Sequence, residues 1–310
     1  MARFVIRRLL WLIPTILAIS LITFIVMHAT PGSPFQPTTG NANPLPPDAL
    51  ANLEREYGLD KPYWQQYALF MVRAAQLDFG KSFYYRTREV SDIIRSTFPV
   101  SLHLGAMAMG LAVLVGIPLG VVAAIRQNSM IDYIASVTAV AGVSLPNFVL
   151  AILFIWIFVL VVPIIPRTGG WDSPVDWVLP TLALGLGPLG ILARYTRSSV
   201  VEVLNQDFIR TAEAKGLRER QVVVRHVLKN GLIPPLTILG PMFAAVTTGS
   251  FFVESVFRVP GMGRFFVESM QSRDYPMIMA VILLYGVLLA FMNILVDVMY
   301  AVVDPRIRLS

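Results

Sequence analysis

Three kinds of chemistry can be tested directly on the residue types of this 310-residue chain: nucleotide binding, proton or metal handling, and thiol redox. Gly80-Lys81-Ser82 matches the end of a phosphate-binding loop, but that loop needs a glycine five residues before its second one, and Ala75 stands there. No apolar strand precedes it either. His28, His103 and His226 are scattered without metal-ligand spacing and are expected to be polar anchors. The absence of cysteine excludes disulfides, thiol nucleophiles and Cys-ligated metals. Among the carboxylates, Glu254 and Asp132 stand at the ends of apolar stretches. Asp297 lies about 9 Å from the inner end of its stretch at 1.5 Å per residue. It is therefore expected to form a structural ion pair with Arg306 or Arg308 rather than a proton relay. No catalytic residue, no metal site and no directly bound cofactor is expected.

The most informative segment is 194–229, which carries eight of the 25 Lys and Arg residues. It predicts a helix, a turn and a second helix. Residues 205–207 supply caps for a helix through Phe208, Ile209, Thr211, Ala212 and Ala214. Lys215 falls in its last turn and Gly216 supplies a left-handed stop. Residues 218–229 form a second, basic helix with Val223, Val224, Val227 and Leu228 on one side, ended by Asn230-Gly231. A first helix this short is marginal alone and must pack on something. A basic helix-turn-helix also suggests DNA binding. Short linkers to the flanking apolar stretches argue against it, and the small residues Thr211, Ala212, Ala214 and Gly216 suit insertion into a protein groove. A plain positive-inside anchor explains the charges but not the small residues or the glycine stop.

The elements that hold this segment are membrane spans. The chain is 55% hydrophobic and 14% charged, against roughly 25% charged for soluble domains. Six stretches, 9–29, 99–125, 133–162, 177–193, 232–253 and 277–303, suit helices crossing about 30 Å of hydrocarbon. Their apolar runs do not alternate, which excludes a barrel and gives an all-α polytopic fold with six transmembrane helices. Pro146 near the middle of 133–162 predicts one kinked helix rather than two crossings. The first stretch follows Arg3, Arg7 and Arg8, exceeds a signal core and lacks a small-x-small site, so it is expected to be retained. Gly116 with Gly120, and Gly185, Gly187 and Gly190, predict close helix approach.

Orientation follows from the loops. One side carries fourteen of the 25 basic residues. The other side's eleven include seven in the long segment 30–98, offset there by seven acids. Both termini and the 194–231 loop are therefore placed in the cytoplasm and 30–98 outside, with the net charge of +6 facing anionic lipid rather than nucleic acid. Within 30–98 a proline-rich arm from Pro31 to Pro47 leads to a short helix capped by Asp48 and stopping at Gly58. A second helix has Pro62 in its first turn and carries a stripe of Tyr63, Tyr67, Phe70, Ala74 and Leu77. That stripe is expected to pack against the outer membrane face, with a partner's landing surface as the alternative.

A polytopic protein with neither an ATP site nor an ion relay is a passive pore, an autonomous transporter or one subunit of a larger machine. Arg210-Thr211-Ala212-Glu213-Ala214-Lys215-Gly216 resembles the inner-loop signature of binding-protein-dependent ABC importer permeases. The likeness continues in Pro31-Gly32-Ser33-Pro34, Tyr57-Gly58-Leu59-Asp60-Lys61-Pro62, Asp78-Phe79-Gly80, Val259-Pro260-Gly261-Met262-Gly263, Arg273-Asp274-Tyr275-Pro276 and Asp304-Pro305-Arg306. These fragments look like the dipeptide, oligopeptide and nickel permease family. The general signature is Glu-Ala-Ala-x3-Gly, and Arg210 and Thr211 replace its first two letters, as is typical of the peptide branch. The proline of the following Ile-x-Leu-Pro is missing at Lys229, and Pro234 comes later.

The resemblance implies a type I importer in a bacterial inner membrane. It would comprise this chain, a second homologous permease subunit, two cytoplasmic ATPase subunits that carry ATP and Mg, and an external solute-binding protein. It implies a coupling helix that docks on the ATPase through Asp207, Phe208, Arg210, Thr211, Ala212, Glu213, Lys215, Gly216 and Leu217. Pro118, Pro146 and the glycine-rich fourth span become candidate hinges. The cargo it implies is di- or oligopeptides, with nickel chelates or glutathione as alternatives within the family.

Overall fold

The computed structural model describes residues 2–35, 46–165, 169–248 and 250–303. Among them the structure is helical, with one isolated β-bridge between Lys81 and Glu89. Five helical runs are long and apolar enough to cross a membrane: Ile6–Ala29, Val90–Ile125, Pro174–Leu204, Ile233–Val256 and Tyr275–Met299. A sixth crossing exists if a bent helix pair counts as one span.

In chain order the helices are α1 (Ala2–Ala29), α2 (Pro47–Glu56), α3 (Tyr63–Ala74), α4 (Val90–Leu111), α5 (Ile117–Ile125), α6 (Met130–Ser144), α7 (Asn147–Ile155) and α8 (Pro174–Leu204). They continue as α9 (Asp207–Ala214), α10 (Glu219–Val222), α11 (Leu228–Gly231), α12 (Ile233–Thr248), α13 (Phe251–Val256), α14 (Gly263–Ser272) and α15 (Tyr275–Val303). The chain divides into two compact units, one built on Val100–Pro260 with Leu289–Ser310 and Met1–Val5, the other on Ile6–Pro99 with Gly261–Leu288.

In the first unit α8 is the central helix, packed on α5, α6, α7 and α12. Glycines let backbones approach it. A Cβ added at Gly120 would lie 2.5 Å from the Ala193 carbonyl oxygen, and one at Gly116 would lie 2.8 Å from that of Leu189. On α8 itself, Gly190 abuts the Ala139 backbone and Gly185 that of Ala108. The expected close approach is thus present at four of the five glycines, Gly187 having only ordinary contacts. Gly120→Val should therefore cost about 1–3 kcal/mol by overpacking. Gly110→Ala, at a site with nothing within 4 Å of the added carbon, should leave the melting temperature unchanged or raised. Thermal unfolding of the two detergent-solubilised variants compares them.

In the second unit loop 82–85 and the start of α15 meet at Asp274, which is 1% exposed. Its carboxylate accepts from the Ser82 hydroxyl and from the backbone N–H of Phe83 (3.0 Å), Tyr84 (3.3 Å) and Met277 (3.3 Å). It thereby caps α15 and pins loop 82–85 to that helix. Arg273 takes a left-handed conformation (φ 56°) to end α14, and its guanidinium fills the space that a Cβ on Gly32 would need. The Tyr85 hydroxyl donates to Glu268. Burial, followed by that carboxylate, pushes its pKa up to about 12, so it remains a donor at any ordinary pH.

Several boundaries differ from those expected. The 133–162 stretch is not one kinked helix: α6 and α7 meet at 105° across Leu145 and Pro146. Proline disfavours helical geometry in the residue before it, and Leu145 is extended (φ −91°, ψ 128°). The second span starts at Val90, not 99, because Val90 and Ile93 are fully buried and hold the first turns of α4, with Pro99 inside the helix. Span 177–193 lies within α8, which runs on as helix to Leu204. The basic helix continues through Asn230 to Gly231 rather than stopping before it.

In 30–98, Asp48 is not the cap of α2 but lies in its first turn, after Pro46. Pro62 precedes α3 rather than opening it, and the helix ends at Ala74, leaving Leu77 outside at φ 61°. Tyr67 and Phe70 pack on Phe24, Met27, Ile278 and Met279 of α1 and α15, so the inner part of the stripe meets the protein's own spans. Much of the proline-rich arm lies outside the described residues.

Candidate functional site

Helix α9 is eight residues long and is held by an apolar seat. Ile209 (1% exposed) and Ala212 (6%) pack with Ala124 of α5, Val200 of α8, and Val222 and Val227 of the basic helix. The opposite face is open. Asp207, Phe208, Arg210, Thr211, Glu213, Lys215, Gly216 and Leu217 are all exposed. Eight of the nine residues expected at the docking surface thus lie together on the outside. Ala212 belongs to the seat instead, so Ala212→Trp would unseat the helix rather than block a partner.

The exit from α9 is a paired left-handed turn. Gly216, at φ +75°, donates to the Glu213 carbonyl (2.8 Å), and Leu217 donates to that of Ala212 (3.4 Å). This closes the carbonyls at the helix end as expected. The following helix contains a π-helical segment, Val223–Val227, between α10 and α11. The wider turn buries Val222 and Val227, five residues apart, and leaves Val224 exposed at 56%. A regular 3.6-residue period places Val224 inward.

An ion pair unmarked in the sequence braces the helix that leads into α9. Arg197 of α8 grips Asp132 with two bonds, Nε to Oδ1 at 2.5 Å and Nη2 to Oδ2 at 2.6 Å. Asp132 is 4% exposed and also accepts from the Asn128 N–H (3.0 Å), closing the turn between α5 and α6. Both residues are inward-turned charges next to spans, but no spacing rule joins positions 65 apart. Glu254, 2% exposed, likewise turns inward and accepts from Ser101 Oγ (2.7 Å) and from Ser250. Both carboxylates stand near span ends, as expected, and are buried there.

The other expected residues are dispersed. Pro118 stands just past a π-helical segment, Ala112–Gly116, in the first turn of α5, and Pro146 at the α6/α7 break. Asp297 is on α15, and its expected partner Arg306 lies outside the described residues. The Gly80-Lys81-Ser82 segment pairs with Glu89 through Lys81, and its Ser82 hydroxyl is buried against Asp274. His28 is bonded to the Phe24 carbonyl (2.9 Å), while His103 sits edge-on to Trp177. Among the described residues no group of three or more His, Asp and Glu is placed to hold a metal ion.

A sequence model of the family described as "Binding-protein-dependent transport system inner membrane component" matches residues 116–309, which include α5 through α15. The chain belongs to this family. A model for the N-terminal part of the same binding-protein-dependent membrane components matches residues 1–105. Among curated relatives of this permease, the dipeptide transport system permease protein DppB of Bacillus subtilis (strain 168) is 46% identical over 309 residues, covering 100% of this chain and 99% of that protein. The oligopeptide transport system permease protein OppB of Escherichia coli (strain K12) is 43% identical over 310 residues, covering 99% of this chain and 100% of that protein. Two solved transporters share the fold at 16% identity and 68% coverage of this permease. They are an amino acid ABC transporter (TM-score 0.53, 94% of that chain) and the methionine ABC transporter MetNI (TM-score 0.54, 96% of that chain). The permease is therefore a multi-pass membrane protein with the type I importer fold, and its family works with ATPase and binding-protein partners.

Proposed function

We propose that this chain is the permease subunit of an ATP-driven importer of di- and oligopeptides. It forms half of the translocation pathway beside a second homologous permease, as one permease domain with no enzymatic activity of its own. The peptide cargo is supported by the names of its full-length relatives. Both termini and α9 face the cytoplasm and 30–98 faces outward, in keeping with the crowding of basic residues in 194–229. ATP and Mg act on the two ATPase subunits, and a solute-binding protein delivers cargo from outside.

The observation that carries this function is the two-faced α9: Ile209 and Ala212 fix it to the spans while Phe208, Lys215 and Leu217 remain uncovered. ATP-driven closure of the ATPases moves α9, and its seat on Val200 passes the motion to α8. Pro118 and the Pro146 break are the bending points, and Asp297 with Arg306 is a static pair.

The double variant Phe208→Ala/Lys215→Glu alters only exposed side chains and should leave insertion and the melting temperature within about 0.5 kcal/mol of wild type. ATPase co-purification should fall at least about tenfold, the equivalent of 1.4 kcal/mol. Undiminished ATPase recovery would remove α9 from the docking surface. Uptake by the chain alone in liposomes, without ATPase or ATP, would replace the importer by an autonomous transporter.

A further inference from the structure

The second unit contains a cleft of about 460 Å³ that none of the roles above uses. That is within the usual range for small-ligand sites, roughly 300–1,000 Å³. One wall is a continuous run of rings: Phe24 against His28 (4.0 Å), His28 against Tyr275 (5.1 Å), Tyr275 against Phe83 (5.9 Å) and Phe83 against Tyr57 (4.8 Å). All five rings line the cleft, and Phe24 and Phe83 are buried.

The rim carries charges of both signs. Arg55, Lys61, Arg73 and Lys81 stand around it with Glu56, Asp78 and Glu89, all seven exposed. None of the seven is ion-paired among the described residues. Asp78 also accepts from the Gly80 N–H, and Arg55 also donates to the Ala51 carbonyl. Neither bond neutralises a charge. An apolar ring wall beneath separate cations and carboxylates matches a solute with three features: an apolar body, a free ammonium for the carboxylates and ring faces, and a free carboxylate for the Arg and Lys groups.

We propose that this cleft is a binding site on the permease itself for short peptides with free amino and carboxyl termini. The compound class rests on the peptide-importer function above. A phosphatidylethanolamine headgroup bears the same two charges, so the test separates the two sources.

The transporter complex, purified without its solute-binding protein in phosphatidylglycerol nanodiscs, would be dialysed to equilibrium against radiolabelled Ala-Phe. Saturable binding is expected, weakened at least tenfold by Lys61→Glu/Lys81→Glu and not competed by N-acetyl-Ala-Phe-amide. The double variant isolates this chain's site from the partner permease, and a melting curve checks that it folds. The proposal fails if no saturable binding occurs, or if the rim variant and the blocked peptide behave like their controls. It also fails if phosphatidylethanolamine in the discs abolishes peptide binding and co-purifies with wild type but not with the double variant. ATP-driven uptake by the complete complex is measured in parallel. Peptide uptake without cleft binding sinks the site and leaves the importer standing; absence of any peptide uptake sinks the importer function itself.

Discussion

Asp274→Ala is expected to cost about 4 kcal/mol or more, since it strands several buried donors at about 1–3 kcal/mol each. The donors are the Ser82 hydroxyl and the backbone N–H groups of Phe83, Tyr84 and Met277. Stability of that size is a large share of the roughly 5–15 kcal/mol available to a folded domain. The loss should be local at first: amides of residues 82–85 should exchange early and a protease should cut there, while α8 and α12 stay protected. Asp274→Asn keeps one carbonyl oxygen but turns an NH2 group toward donors, so it should sit between alanine and wild type. Tyr85→Phe, removing only the bond to Glu268, is the milder control at about 1 kcal/mol. Unchanged exchange at 82–85 in Asp274→Ala would show that the loop is held elsewhere.

Breaking the Asp132–Arg197 pair from one side should be nearly as damaging. Removing one partner of a buried pair typically costs about 3–5 kcal/mol because the other charge is left buried. Arg197→Met strands a carboxylate that is 6% exposed, while Asp132→Leu strands a guanidinium that is 34% exposed and partly screened by water. The arginine variant should therefore be the less stable of the two single changes. The double variant Asp132→Leu/Arg197→Met should recover most of the melting temperature, since no uncompensated charge remains. Its ATP-driven uptake should stay lower than its stability suggests, because α8 loses the fixed grip on the α5/α6 turn. A double variant as unstable as Arg197→Met would mean that the Asn128 bond, not the ion pair, sets the local structure.

The membrane character, five of the spans and the helix at 207–214 were legible because each rests on a local property: apolar length, charge placement, or a glycine stop. Gly216 is the clearest case, since a left-handed turn after Lys215 needs nothing from the rest of the chain. The errors arose where tertiary contacts override local pattern. The π-helical Val223–Val227 segment changed which valine faces inward, and buried Val90 and Ile93 extended α4 backward past Pro99. Pro146 was seen, but a bend and a full break differ only in whether Leu145 leaves helical geometry. Around α9, composition did not give the division between seat and open face. Ala212 was misplaced because small size serves a partner's groove and the protein's own core equally well. Asp132, Glu254 and Asp274 were missed as interior groups because their donors come from residues far apart in sequence.

One dimension of α8 has a mechanical outcome. Its 31 residues extend about 46 Å at 1.5 Å per residue, some 16 Å more than the roughly 30 Å hydrocarbon layer it crosses. A surplus of that length lies outside the bilayer, and α9 begins three residues beyond the end of the rod. Pivoting such a rod by about 5° about its far end sweeps the tip through about 4 Å, close to one helical turn of 5.4 Å. On the coupling role proposed for α9, a modest shove there needs little distortion along the rod to register deep in the bundle.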